Sequence, residues 1–277
     1  MTKVYNRKTK QTEEVRHFGG SILNNIYKSK ILTRITTSKL VSKVYGLINS
    51  TSLSKRKISK FINENNIDMN LYEDKEYKSF NDFFIRKHKK LDISKTGLIS
   101  PCDGKLLVYK IKNDLDVNIK GITYNIKELF NDDLDYFKDG YMLIYRLSLD
   151  NYHRFHYIDD GKRLKRIKVK GRLHTVSESS KEYKIYKENE REYSILDCNN
   201  IGRIIYMEVG ALLVGKIINY DLEKFKRGEE KGYFMPGGST IVVLVNNVKI
   251  DSDIIKYSSK GIETIVTTGE KVGDILC

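Results

Sequence analysis

Phe234-Met235-Pro236-Gly237-Gly238-Ser239-Thr240-Ile241-Val242-Val243-Leu244-Val245 joins a turn to a dense apolar run. The run from Ile241 onward reads as a buried strand, because β-branched and aliphatic residues follow one another without a polar break. The turn holds two glycines, which free the backbone to take conformations that a Cβ forbids and leave a carbonyl unshielded. Ser239 follows directly, with its hydroxyl within reach of the carbonyl one bond behind. A serine that attacks its own preceding peptide bond needs that arrangement, together with a strained turn and a nearby general base. By itself, Gly-Gly-Ser-Thr before a strand is an ordinary turn. The chemistry depends on what the rest of the chain supplies.

Upstream of this strand the texture is similar back to about Leu98. Short β-like runs are separated by turn signals: Gly104–Ile111, Val117–Ile122, Tyr141–Leu147, Arg163–Val169, Ser194–Cys198, Gly202–Val209 and Leu212–Ile218. Ile262–Thr267 follows downstream, and Phe130–Phe137 or Leu222–Phe225 could form short helical turns. Ahead of them, apolar residues recur at helical spacing from Ser21 to about Ile62: Ile22, Leu23, Ile26, Tyr27, then Ile31, Leu32, Ile35, then Leu40, Val41, Val44, Tyr45, Ile48. Ser54 could cap a further helix through Phe61-Ile62. Residues 1–19 are polar and read as extended or loosely held. The Phe80–Phe84 cluster reads as an apolar plug joining the helical and β-rich parts. The sequence therefore predicts an α+β protein, with a basic amphipathic helical part over residues 1–65 and a β-rich, mostly antiparallel catalytic domain over 66–277.

Charge separates the same two parts. The chain of 277 residues carries a net charge of +14, and residues 1–60 hold fourteen Lys/Arg against Glu13 and Glu14, a balance of +12. No carboxylate occurs from Val15 to Asn63. Such a block points to an anionic partner. Interleaved aliphatics, with few aromatic stacking residues and few arginines, favour a lipid surface over nucleic acid. The reading is a peripheral protein at the cytoplasmic face of the cell membrane. The polar start lacks the apolar core of a secretory signal, and the apolar runs near 209–215 and 241–245 are far below the roughly 20 residues of a membrane span. Cys102, Cys198 and Cys277 are odd in number and lack metal or redox spacing, so they read as reduced thiols in a cytosolic compartment. An apolar content of 40% suffices for a sizeable core.

Five histidines are candidates for the base. His17 and His88 sit in basic, polar stretches and read as surface residues, and His174 as a strand residue. His153 and His156 lie in Asn151-Tyr152-His153-Arg154-Phe155-His156, directly after the apolar run Tyr141–Leu147, where loops on a rigid scaffold often carry function. Two histidines at i and i+3 could hold a metal, but no third ligand cluster accompanies them, and no metal is expected. Asp103, in Ser100-Pro101-Cys102-Asp103-Gly104, is either a turn-forming residue or the carboxylate that orients a histidine. Nucleophile, base and orienter are thus available in the order Asp, His, Ser on three separate turns.

The resemblance is specific at this point. Phe80-Asn81-Asp82-Phe83-Phe84-Ile85-Arg86, Ser100-Pro101-Cys102-Asp103-Gly104, Tyr152-His153-Arg154-Phe155-His156, Val209-Gly210-Ala211-Leu212-Leu213-Val214-Gly215-Lys216-Ile217, Lys231-Gly232-Tyr233-Phe234 and Gly238-Ser239-Thr240 together resemble the pyruvoyl-dependent phosphatidylserine decarboxylases, in the family's order. The resemblance implies a self-processing carboxy-lyase of phospholipid biosynthesis that makes phosphatidylethanolamine. It implies that Asp103, His156 and Ser239 form a self-cleavage triad and that the bond between Gly238 and Ser239 is cut. The products would be chains 1–238 and 239–277, held together as a heterodimer that could assemble further. Ser239 would become a covalent pyruvoyl group, the only cofactor, which forms a Schiff base with the serine amine of phosphatidylserine in an anionic membrane. His153 would take part in decarboxylation. Gly237 stands where relatives commonly have leucine, and Glu178 where many have proline. A serine hydrolase using the same residues is disfavoured by the lack of a Gly-x-Ser-x-Gly elbow. A non-enzymatic basic binding module explains residues 1–60 alone, and decarboxylation of a related lipid such as archaetidylserine stays open.

Overall fold

The computed structural model describes residues 2–15, 25, 28–29, 32–33, 36–119, 122–130, 132–174, 185–210, 216–237 and 239–276. Ser239–Val245 forms strand β15, and all seven of its residues are buried. A strand dry on both faces belongs at the centre of a sheet covered on both sides. β15 lies in a ten-stranded sheet, antiparallel to β11 (Gly202–Gly210) on one side and to β7 (Tyr141–Leu147) on the other. Beyond β11 come β10 (Arg191–Cys198), β9 (Gly161–Val169) and β13 (Lys224–Phe225). Beyond β7 come β4 (Gly104–Lys110), β17 (Glu263–Val266), β1 (Thr2–Asn6) and β2 (Gln11–Val15).

Alternation along β15 divides its side chains between two cores. Ile241, Val243 and Val245 enter one, together with Leu143, Tyr145, Phe155 and Phe234. Val242 and Leu244 enter the other, with Ile111, Phe130, Phe137 and Met142. Burying each such side chain is worth roughly 1.5–3 kcal/mol. The first core is closed by two small sheets, β8 (Arg154–His156) with β12 (Ile217–Asn219) and β14 (Glu230–Phe234), and β3 (Leu98–Ile99) with β16 (Val248–Ile250) and β18 (Lys271–Ile275). The second is closed by the hairpin of β5 (Asp116–Ile119) and β6 (Ile122–Asn125) and by the segment that follows it. The expected run 117–122 is thus a hairpin. Of the expected helical turns, Asp135–Phe137 is a 3-10 turn, whereas Lys224–Phe225 is strand. Most of the expected run 212–218 lies outside the described residues.

Residues 2–15, read as extended or loosely held, form a hairpin that belongs to the main sheet. β1 runs parallel to β17, with Val4 opposite Glu263 and Asn6 opposite Ile265. Val4 and Tyr5 are buried, and the Tyr5 ring stacks on Tyr257 at 3.9 Å between centroids. Only two apolar residues mark this strand, so its pattern carries little signal. The ladder of β17 supplies the partner that the segment alone lacks.

The helices follow. α1 (Lys39–Asn49) is capped by Ser38, whose hydroxyl accepts from the Val41 amide. α2 (Arg56–Asn65) ends at Asn66 in the left-handed region, φ +50°. Ser54 does not cap α2. Its buried hydroxyl donates to the carbonyls of Asn49 and Thr51 and accepts the Phe80 amide at 2.9 Å, tying α1 to α3 (Phe80–Phe84). Phe80, Phe83 and Phe84 pack with Ile58, Phe61 and Ile62 of α2 and with Leu149 of the β-rich part, which makes the phenylalanine cluster the expected plug. On the outer side, Leu40, Val44, Leu47 and Ile48 of α1 and Leu53 are exposed, Leu40 by 71%. His17 and the apolar residues expected at 22, 23, 26, 27, 31 and 35 lie outside the described residues.

Candidate active site

The groups singled out in the sequence come from three elements that meet at the start of β15. Ser239 opens that strand, opposite Gly210 of β11 and Leu147 of β7. The strand after the loop 148–153 is β8, which pairs with β14, the strand leading to the Gly-Gly-Ser turn. The His156 amide donates to the Pro101 carbonyl at 2.8 Å, which brings β8 against the Ser100–Asp103 turn. Gly238 lies outside the described residues. Gly237 has φ +144°, a conformation that L side chains rarely adopt, so the leucine common in relatives would be strained here.

Ser239 is fully buried, and its Oγ has no hydrogen-bond partner among the described residues. The same is true of His156 Nε2. His156 Nδ1 lies 3.0 Å from the Gly228 carbonyl, which can only accept, so Nδ1 carries the proton and Nε2 a lone pair. An unpartnered donor and an unpartnered acceptor, both shut away from water, are costly in a finished fold and useful in a reacting one. Burial lowers the His156 pKa, against the opposing influence of the Gly228 carbonyl and the charges of Glu230 and Asp103. The imidazole is therefore neutral and competent as a base at physiological pH.

Asp103 does not hydrogen-bond His156. Its Oδ1 accepts two bonds from Thr268, from the amide at 2.8 Å and the hydroxyl at 2.9 Å. The Gly228 carbonyl holds the tautomer that the sequence reading gave to Asp103. The aspartate contributes through its charge, which favours an imidazolium at His156.

His153 is fully buried, stacked on Phe84 at 4.0 Å, with Nε2 3.0 Å from the Ser148 carbonyl. By the same logic Nδ1 bears the lone pair, and it too is unpartnered. Burial first, and then the charge of Arg86, lower its pKa to about 3. This histidine is neutral at any physiological pH.

Sequence reasoning missed several neighbours. His88, read as a surface residue, is half-buried, stacked on Tyr72 at 4.6 Å and edge-on to Tyr152 at 4.3 Å. Burial lowers its pKa while Asp103 works to raise it, which places it in the aspartate's field. Its lysine neighbours disguised it. Arg86 is 2% exposed, lies over the rings of Tyr72 and Phe83, and donates from Nη2 to the Asp150 carbonyl at 2.8 Å, bracing the loop before His153. Lys231 on β14 and Glu208 on β11 form a buried ion pair at 2.6 Å, with Asn219 bonded to both. Burial pushes each toward its neutral form, and the pair locks β14 onto the sheet next to the turn. His174, expected on a strand, lies outside one, with its amide on the Asn189 side chain. A groove of about 670 Å³ follows the Lys162–Lys168 edge, three strands from β15 in the sheet order, and none of these groups lines it.

The family model for phosphatidylserine decarboxylase matches residues 80–274. The chain is 46% identical to phosphatidylserine decarboxylase proenzyme 2 of Clostridium acetobutylicum, over 98% of each chain. It is 42% identical to the proenzyme of Clostridium tetani, over 100% of this chain and 99% of that one, and 41% identical to that of Clostridium perfringens, over 99% and 100%. Matches of that extent, spanning every element that meets at Ser239, place this chain in the phosphatidylserine decarboxylase family.

Proposed function

We propose that this protein converts phosphatidylserine to phosphatidylethanolamine after cutting itself between Gly238 and Ser239. The observation that carries the reading is that Ser239 Oγ and His156 Nε2 are both buried without a hydrogen-bond partner among the described residues, with His156 bonded to the Asp103 turn through the Pro101 carbonyl. His156 Nε2 takes the Ser239 proton, and Oγ adds to the carbonyl of residue 238. The C–N bond breaks, so the amide becomes an ester. Loss of the α-proton and cleavage of the Cβ–O bond release a carboxylate at 238 and leave a dehydroalanyl residue at 239. Water hydrolyses that residue to a ketone with loss of ammonia. The positive charge gained by His156 is stabilised by Asp103.

The residues present fit a pyruvoyl group at 239. The position is buried and opens a rigid strand, and His153 and His156 are buried, neutral imidazoles on the segment whose strand pairs with the one leading into the Gly-Gly-Ser turn. Bound as the N-terminal cap of the small chain, the group supplies an electron sink for loss of carbon dioxide. His153 and His156 are the groups able to hold or return a proton near it. The surrounding apolar core excludes water and favours departure of a charged carboxylate as a neutral gas. Chains 1–238 and 239–277 stay together as a heterodimer.

The substrate is reached from a membrane surface. The exposed apolar row of α1 and Leu53, with exposed Lys43, Arg56, Lys57 and Lys60, suits a peripheral foot on the anionic cytoplasmic face. Among the described residues no helix is long and apolar enough to cross a membrane. Intact-mass measurement tests the whole reading. Two chains breaking at 238, the smaller with a ketoacyl cap, are expected from the native sequence and one uncut chain from Ser239→Ala. An uncut native chain with an ordinary serine would overturn it.

A further inference from the structure

The N-terminal hairpin is joined to Asp103 by a line of hydrogen bonds that runs through the turn of residues 267–270. Arg7 follows β1 and reaches three carboxylates of the small chain: Asp251 at 2.7 Å, Asp253 at 3.0 Å and Glu270 at 2.8 Å. The charges of Glu270 and Asp253 and the hydrogen bond to Asp251 raise its pKa despite burial. Its Nη1 also donates to the Lys271 carbonyl at 2.8 Å. The other oxygen of Glu270 accepts the Thr267 amide at 3.0 Å and the Thr267 hydroxyl at 3.3 Å. The next residue, Thr268, gives both its amide and its hydroxyl to Asp103. The Thr267–Glu270 turn is also bonded to Ser100 in both directions, amide to carbonyl, at 2.8 and 2.9 Å.

We propose that Arg7 and Thr268 are positioning residues for Asp103, with the N-terminal hairpin clamping the turn of residues 267–270 so that this turn fixes the aspartate beside His156. The inference rests on the reading of Asp103 as part of the self-cleavage triad. It assigns the hairpin a role in the reaction although the hairpin touches none of the reacting atoms. It also means that the segment on the far side of the cut bond supplies the bonds that aim the aspartate, before and after cleavage. Tyr5, stacked on Tyr257, contributes to holding the hairpin but does not reach the turn.

The test follows self-cleavage of the full chain with time, on gels, after synchronised cell-free synthesis. Arg7→Ala and Thr268→Val, which keeps the shape of the side chain and removes its hydroxyl, should each slow cleavage at least about tenfold. Thr268→Ser should restore most of the rate, and Arg7→Ala with Thr268→Val should be no slower than the slower single variant. Tyr5→Ala should lower the melting temperature about as much as Arg7→Ala yet cleave at close to the native rate. Native-like cleavage by Arg7→Ala, or equal slowing by Tyr5→Ala, would overturn the proposal by reducing the hairpin to a general stabiliser. Asp103→Asn separates the two levels. If it cleaves normally, the triad reading itself fails. If it is blocked while Arg7→Ala is not, only the positioning role fails.

Discussion

β15 and α1 contain similar aliphatic residues and dispose of them in opposite ways. All seven residues of β15 are buried, whereas Leu40, Val44, Leu47 and Ile48 of α1 face outward. The difference lies in what surrounds them. β15 has strands on both sides and cores on both faces, so its aliphatics and the Ser239 hydroxyl are sealed from water. Among the described residues α1 is held through Ser54 and Asn81, whose side chains bond the carbonyls of Asn49 and Gly46, while its aliphatics are exposed on its outer side. The first region keeps its side chains, the Ser239 hydroxyl among them, from water, and the second presents aliphatics to the surface, as the proposed membrane foot requires.

The contrast can be broken most sharply at the reaction itself. His156→Ala should reduce self-cleavage by more than about a thousandfold, in line with the removal of a general base. It should leave binding to anionic vesicles unchanged. Next comes stability. Leu244→Ala should cost about 2–5 kcal/mol in denaturant unfolding of a cleavage-blocked chain, and Leu47→Ala within about 0.5 kcal/mol, because only the first leaves a cavity. The reverse asymmetry holds at the membrane. Replacing Leu40, Leu47 and Leu53 together with serine should weaken vesicle binding at least about tenfold while cleavage proceeds, and the native attachment should loosen as salt rises. Equal vesicle binding by this triple variant would dissolve the distinction between the two regions. The smallest effect is in pH. A base whose folded pKa is lowered stays neutral below the usual 6.5, so the self-cleavage rate should hold through pH 6.5 and fall only in more acidic solution. A rate already halved at pH 7 would contradict the burial of His156.

The sequence made the central strands readable because each is an apolar run closed by turn residues. Tyr141–Leu147 and Ser239–Val245 match the expected limits. It did not reveal the hairpin, whose two strands hold only Val4, Tyr5 and Val15 as apolar residues and whose partner strand lies more than 250 residues away. Nor could it reveal that the Gly228 carbonyl, on a turn far from the His153–His156 element, orients the His156 ring. Both depend on contacts between distant segments, which local pattern does not encode. His88 stayed hidden for another reason. Its lysine neighbours point to solvent, while Tyr72 and Tyr152 draw the ring inward.

The placement of β15 between β11 and β7 governs what becomes of the molecule once it has matured. With the proposed cut before Ser239, the shorter piece is no detachable module. It contributes an interior slat of the sheet, and pulling it out would unzip two ladders and open both cores. Maturation by that cut would be a one-way passage: the intact precursor is what the fold assembles from, and a molecule that lost its interior slat would have no continuous chain from which to rebuild it. Each copy cut in that way would keep for life the fragment it was born with.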